Sequence, residues 1–182
     1  MTRPQNALPT LALSVRQPWA WAIIYAGKDV ENRSPGSMRA GAMKPGRICI
    51  HAATGMTQRE YDWGAWRLRE HGVTPPAARA LVRSAIIGVV DVVALIKVSD
   101  SPWFGGKSGL QLADPRAVEP IPAAGALGYF AWAPGGRIAA PAPWMLKPEA
   151  INGDTATLPL FAPDEALAPP PPRPFGGTAK KS

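Results

Sequence analysis

Apolar positions in this chain fall mostly in short runs, which predict strands rather than long helices. Leu11-Ala12-Leu13-Ser14-Val15 reads as the first strand. Pro18 suits the first turn of a helix, where its missing N–H costs nothing. Trp19, Ala22, Ile23 and Ala26 then follow at helical spacing, and Gly27 fits the left-handed position that ends a helix. Residues 30–33 should be extended. Residues 34–46 hold Pro35, Gly36, Gly41, Pro45 and Gly46, a composition that predicts a loop. A strand is expected at 47–51. A helix over 57–69 follows, with Thr57 as cap and Glu60 three residues on, as in a capping box. A second short helix is expected at 75–83.

The run from Ser84 to Val98 is the longest β-rich stretch and near-continuously apolar, which predicts a central strand that bends at Gly88. Shorter strands are expected near 109–113, 117–121 and 127–132. No strand–helix–strand alternation appears. The pattern predicts a mainly β (α+β) domain, a small barrel with peripheral helices, over about 11–162. Residues 1–10 read as a flexible lead-in. Residues 163–182, with Pro169-Pro170-Pro171-Pro172-Arg173-Pro174 and Lys180-Lys181, read as a disordered, Pro-rich basic tail.

Composition narrows the function classes. At 182 residues the chain fits one domain with extensions. A single cysteine, Cys49, excludes an internal disulfide, and two histidines far apart in sequence argue against zinc. No apolar run approaches a membrane span and the N-terminus lacks a signal-peptide core, so a cytoplasmic protein without a membrane partner is expected. The net charge of +7 suits phosphate backbones or other acidic partners. Neither a serine elbow nor a phosphate loop is present, and no cofactor is expected.

The richest chemistry lies in Ser14-Val15-Arg16-Gln17-Pro18-Trp19-Ala20 and Gly27-Lys28-Asp29-Val30-Glu31-Asn32-Arg33-Ser34. These polar clusters flank one short helix. A surface charge network is the plain alternative to a site. In an ideal strand Lys28 and Glu31 would face opposite sides, so sharing a pocket requires an irregular corner near 27–29. Arg39, Lys44 and Arg47, with Arg33, can follow a phosphate chain or simply be solvated. Of seven tryptophans, Trp103 in Ser101-Pro102-Trp103-Phe104-Gly105-Gly106 is the best candidate for base stacking, against local packing. His51 either bonds structurally or lines the site.

Those two blocks, with Ile48-Cys49-Ile50-His51-Ala52, Ile87-Gly88-Val89-Val90-Asp91-Val92, Ser101-Pro102-Trp103-Phe104 and Gly125-Ala126-Leu127-Gly128, resemble the ASCH family over about residues 11–133. The resemblance implies a PUA-like open β-barrel that binds RNA beside the motif helix. One bacterial branch of the family is an amidohydrolase acting on N4-acetylcytidine with a lysine, a threonine and a glutamate. Lys28 matches the lysine, Glu31 stands where that branch has threonine, and Asp91 where it has glutamate. Members with Lys-x-x-Glu are closer to this chain.

Three functions are therefore weighed. In an amidohydrolase of N4-acylated cytosine or cytidine, Glu31 or Asp91 would activate water and Lys28 would stabilise the oxyanion. Arg16, Gln17 and Asn32 would read the pyrimidine, with Trp19, Arg33, His51 and Trp103 also lining the site. In an RNA-binding module the basic loop would hold phosphates and Trp103 would stack a base. In a metal-independent ribonuclease Lys28 and His51 would serve as acid and base. The partner in every case is a nucleobase, a nucleoside or RNA.

Overall fold

A computed structural model describes residues 7–147. The element order is β1 (Leu11–Val15), α1 (Trp19–Tyr25), β2 (Val30–Asn32), α2 (Pro35–Ala40), β3 (Gly46–Ala52), α3 (Gln58–Glu70), β4 (Ala85–Ile96), β5 (Gly109–Pro122) and β6 (Tyr129–Ala131). Single 3₁₀ turns occur at Ala78–Ala80 and Pro143–Leu146. The fold is α+β. Its six strands form one mixed sheet in the order β2-β5-β4-β3-β1-β6, in which β1 runs parallel to β3 and the other pairs are antiparallel. The expected barrel does not close, because β2 and β6 end the strand order without pairing with each other.

The sheet is nevertheless strongly curled. In a flat sheet β2 and β1, four spacings apart in this order, would be separated by roughly 19 Å. Glu31 is level with Leu110 and Leu95 at one end of β4, whereas Ser14 aligns through His51 with Ile86 at the other. Yet the Arg33 guanidinium reaches across to the Ser14 carbonyl at 2.8 Å. No arginine side chain spans the flat distance, so the sheet folds back on itself. Register shifts at Ile86/Gly88, Val89/Asp91 and Val92/Ala94 supply the bend, since each bulge adds local twist.

The concave face of this curl holds the main core. Leu13, Val15, Ile48, Ile50, Val90, Val92, Leu110 and Leu112 meet Ile23 and Ile24 of α1 there. Gly88 lets the helix come close: a Cβ at that position would lie 2.4 Å from Ile24 Cδ1 and 2.7 Å from the Arg116 carbonyl oxygen. A smaller cluster on the opposite face includes Ala12, Cys49, Ile86 and Val89. Cys49 is buried, and burial pushes its thiol up to about 11, so it is inert at neutral pH. Among the described residues no helix is long and apolar enough to cross a membrane.

Several sequence expectations need correction. The loop expected at 34–46 contains α2, capped by Ser34 Oγ, which accepts from Ser37 N at 3.1 Å, with Pro35 at the first helical position. The helix expected at 75–83 is only the turn at Ala78–Ala80. The strands expected near 109–113 and 117–121 are one strand, β5. The lead-in is tied down at its end, where Pro9 O accepts from Trp132 Nε1 at 2.7 Å. The Thr57–Glu60 capping box forms as expected. The tail at 163–182, the domain's expected end at 148–162 and residues 1–6 lie outside the described residues.

Candidate active site

The corner after α1 creates the site. Gly27 takes φ 69°, and Ala22 O accepts from both Ala26 N (3.0 Å) and Lys28 N (3.1 Å), which turns the chain sharply. Lys28 therefore precedes β2 and escapes strand alternation. Its side chain turns inward towards Glu31, which faces the concave side with its partner Leu110.

Lys28 Nζ donates to Glu31 Oε2 at 2.9 Å and also to the Val30 carbonyl. Arg33 Nε donates to the other carboxylate oxygen at 3.1 Å, and its Nη2 holds Ser14 O. The Arg33 backbone is clamped in turn: its N–H donates to Ser108 O at 3.1 Å and its carbonyl accepts from Ser108 Oγ at 2.6 Å. Lys28 is 5% exposed and Glu31 8%. Arg33, with 23% of its side chain exposed, is the outward member.

Electrostatics fix the carboxylate's state. Burial works to raise the Glu31 pKa, but the charges and hydrogen bonds of Lys28 and Arg33 outweigh it and hold the group below its ordinary 4.5. Glu31 is thus ionised at neutral pH. Two basic side chains, Lys28 and Arg33, thus bracket the one carboxylate. Tyr129 stands close enough for the Arg33 charge to act on its phenol, which burial otherwise raises; its hydroxyl donates to Lys44 O at 3.0 Å. The sequence reading missed Tyr129 and Ser108. Tyr129 directly follows the quoted Gly125–Gly128 stretch, whereas no pattern marked Ser108.

The other expected site residues are used elsewhere. Asp91 does not join the triad. It sits between Val90 and Val92, which face the concave core, so its side chain points to the opposite face of β4. There it forms a two-pronged pair with Arg47, at 2.6 and 2.8 Å, and Arg47 also bonds Asp114 at 2.9 Å. The Arg47 hydrogen bonds keep the Asp91 carboxyl below its usual range. Arg47 is thereby withdrawn from the basic loop, while Arg39 and Lys44 remain exposed without an ion pair among the described residues.

Gln17 is 2% exposed and spans the backbone, donating to Val82 O at 2.7 Å and accepting from Trp21 N at 2.9 Å. Asn32 likewise uses both ends of its amide, donating to Trp103 O at 2.8 Å and accepting from Gly105 N at 2.9 Å. Neither is free to read a pyrimidine. That Asn32 clamp draws the 101–106 loop inward, so Trp103 is buried against Ala22, Val30 and Leu68 with its ring 3.8 Å from His71. Trp103 packs and offers no exposed stacking face. Trp19 is half-buried, edge-on to Trp63 at 5.2 Å. Arg16 is exposed and pairs with Glu60 of α3.

His51 takes its structural reading. Its Nε2 lies 3.0 Å from Ala123 O, which can only accept, so Nε2 carries the proton and Nδ1 accepts from Ser14 Oγ at 3.0 Å. Burial lowers its pKa, consistent with a neutral ring. Among the described residues no three His, Cys, Asp or Glu side chains converge as metal ligands. No protein-family model matches the chain, and no curated protein does either.

Proposed function

We propose that this chain is an ASCH-type, PUA-like protein acting as an amidohydrolase on N4-acylated cytosine or cytidine, with Lys28 and Glu31 as its reactive pair. The curled, open sheet with α1 at the Lys28 corner supports the fold reading. The observation that carries the functional reading is the buried ammonium held 2.9 Å from a carboxylate, with Arg33 on the other oxygen. Withdrawing such charges from water costs several kcal/mol per ion, and packed apolar residues would serve stability as well or better. Ionisable groups perturbed by burial and by a specific charged partner cluster at functional sites.

Glu31 takes a proton from water as the oxygen attacks the acyl carbon. The Lys28 ammonium and the Arg33 edge stabilise the oxyanion that forms. As the C–N4 bond breaks, the proton held on Glu31 passes through Lys28 to the departing amine. The products are a carboxylic acid and the free exocyclic amine. Glu31 is a weak base in this setting, which suits a slow hydrolysis better than a fast one. Asp91 takes no part.

The test is a panel of N4-acylated cytidines and cytosines incubated with purified protein, with the free base or nucleoside measured by chromatography. Hydrolysis of an N4-acyl compound is expected, and an inert panel would reject the reading.

A second reading, an RNA-binding module without catalysis, is favoured by exposed Arg39 and Lys44 and by the outward Arg33. Such binding should weaken steeply with salt. Affinity unchanged by loss of Arg39 and Lys44 together would reject it. The ribonuclease reading loses its base, because both ring nitrogens of His51 are engaged inside the fold.

A further inference from the structure

Helix α3 gives one face to the fold and leaves the other exposed. Gly64, Ala65 and Leu68 are its buried side, and Gly64 lies so close to the start of α1 that a Cβ there would come 2.4 Å from Pro18 Cγ. Arg59, Trp63, Trp66 and Glu70, spaced four, three and four residues apart, therefore share the opposite face. All four are exposed, Trp63 at 38% and Trp66 at 50%. Both indoles are braced: Trp63 meets Trp19 edge-on at 5.2 Å, and the Arg67 guanidinium stands 5.9 Å from the Trp66 ring. Tryptophan is among the residues that most often anchor a protein interface.

The charges on this face are self-complementary. Arg59, Asp62, Arg69 and Glu70 make no ion pair among the described residues. Reversing the helix about the midpoint between Gly64 and Ala65 lays Arg59 opposite Glu70 and Trp63 opposite Trp66. Asp62 and Arg69 lie two turns apart on one flank of the helix. A two-fold axis crossing the helix keeps that flank on the same side, so Asp62 of one copy comes within about 3 Å, measured along the axis, of Arg69 of the other. Parallel packing would instead set Arg59 against Arg59 and Glu70 against Glu70. Acids thus meet bases only in the antiparallel arrangement, and each contact occurs twice, as an isologous interface requires. A nucleic-acid strand would meet Asp62 and Glu70 as repelling charges.

We propose that two copies of this chain pair through the outer faces of α3, antiparallel and two-fold symmetric, with Trp63 and Trp66 at the centre and an Arg59–Glu70 pair at each end. The helix spans 13 residues, about 20 Å, so the contact falls short of the roughly 800 Å² per partner of a standard interface. The dimer is therefore weak, with a dissociation constant on the order of 100 µM. It does not depend on the Lys28 triad or on the reaction proposed there.

Sedimentation velocity on the full-length protein, from about 5 to about 500 µM, tests the pairing. The weight-average sedimentation coefficient should rise from monomer towards dimer across that range, and rise less in about 0.5 M salt. Arg59→Glu alone and Glu70→Arg alone each bring like charges together and should keep the chain monomeric. Both changes suit the helix dipole, an acid near the N-terminus and a base near the C-terminus, so neither should lower the melting temperature. Mixing the two variants rebuilds both end pairs in a heterodimer and should restore the rise. Trp66→Ser should abolish it. A monomer at every concentration overturns the proposal, including one whose tryptophan emission is quenched by oligouridylate, which would make the face a nucleic-acid surface. A dimer left intact by Arg59→Glu and Trp66→Ser, or a mixture no more associated than its two components, also overturns it, because the copies would then meet elsewhere or in another register.

Discussion

Replacing Lys28 by methionine removes one partner of a buried pair while keeping most of its volume. Glu31 would keep Arg33 at 3.1 Å but lose the ammonium at 2.9 Å. Breaking a buried pair by deleting one member costs about 3–5 kcal/mol, and the surviving Arg33 contact places this case near 3 kcal/mol. With a urea slope of about 1.5 kcal/mol/M, the unfolding midpoint should fall by about 2 M at pH 7. The pH dependence gives the sharper test. The folded Glu31 pKa is depressed below 4.5, so its contribution is fully present above the unfolded value and is lost as pH falls through the folded one. Without Lys28 the burial of Glu31 is less opposed and its pKa in the variant rises, so the difference between the two proteins should be largest near pH 7 and shrink as the solution becomes more acid. Urea unfolding followed by tryptophan fluorescence at pH 7, 5, 4 and 3 measures it. A midpoint change under about 0.5 M at pH 7, or a gap that stays constant to pH 3, would refute the electrostatic account.

Asp91→Asn should leave any hydrolytic activity within about twofold, and cost under about 1 kcal/mol, because its pair with Arg47 is partly exposed and on the opposite face. Gly88→Ala should destabilise the fold by about 1–3 kcal/mol, read as a lower melting temperature, because the new Cβ meets Ile24 and the Arg116 carbonyl. Gln17→Leu should cost about 1–3 kcal/mol in urea unfolding, since it strands the Val82 carbonyl and the Trp21 N–H, yet leave binding of a cytidine ligand unchanged.

The local signals that could be read in the chain were those with a single physical cause. Apolar spacing located β1, α1, β3 and β4, and the Thr57/Glu60 pair located α3. Gly27 marked the corner that brings Lys28 to Glu31. What escaped had two causes competing. Proline and glycine at 35 and 36 suggested a loop, although Pro35 is favourable at a helix start. The bulges that split the apparent period of β5 are the same ones that curl the sheet. Asp91 was hidden in a near-continuous apolar run, so its strand face could not be told from Val90 and Val92 until the concave side was known. Gln17, Asn32 and Trp103 have the residue types of a binding site, but residue type alone does not separate a side chain that holds a ligand from one that holds backbone.

Hydrolysis of N4-acetylcytidine by the unaltered protein, Lys28→Met and Asp91→Asn, compared as kcat/KM, bears most directly on the Lys28–Glu31 pair as a reactive centre. The account predicts cytidine release by the unaltered protein and by Asp91→Asn, with a loss of about 100-fold or more in Lys28→Met. Equal rates in all three, or a loss confined to Asp91→Asn, would contradict it.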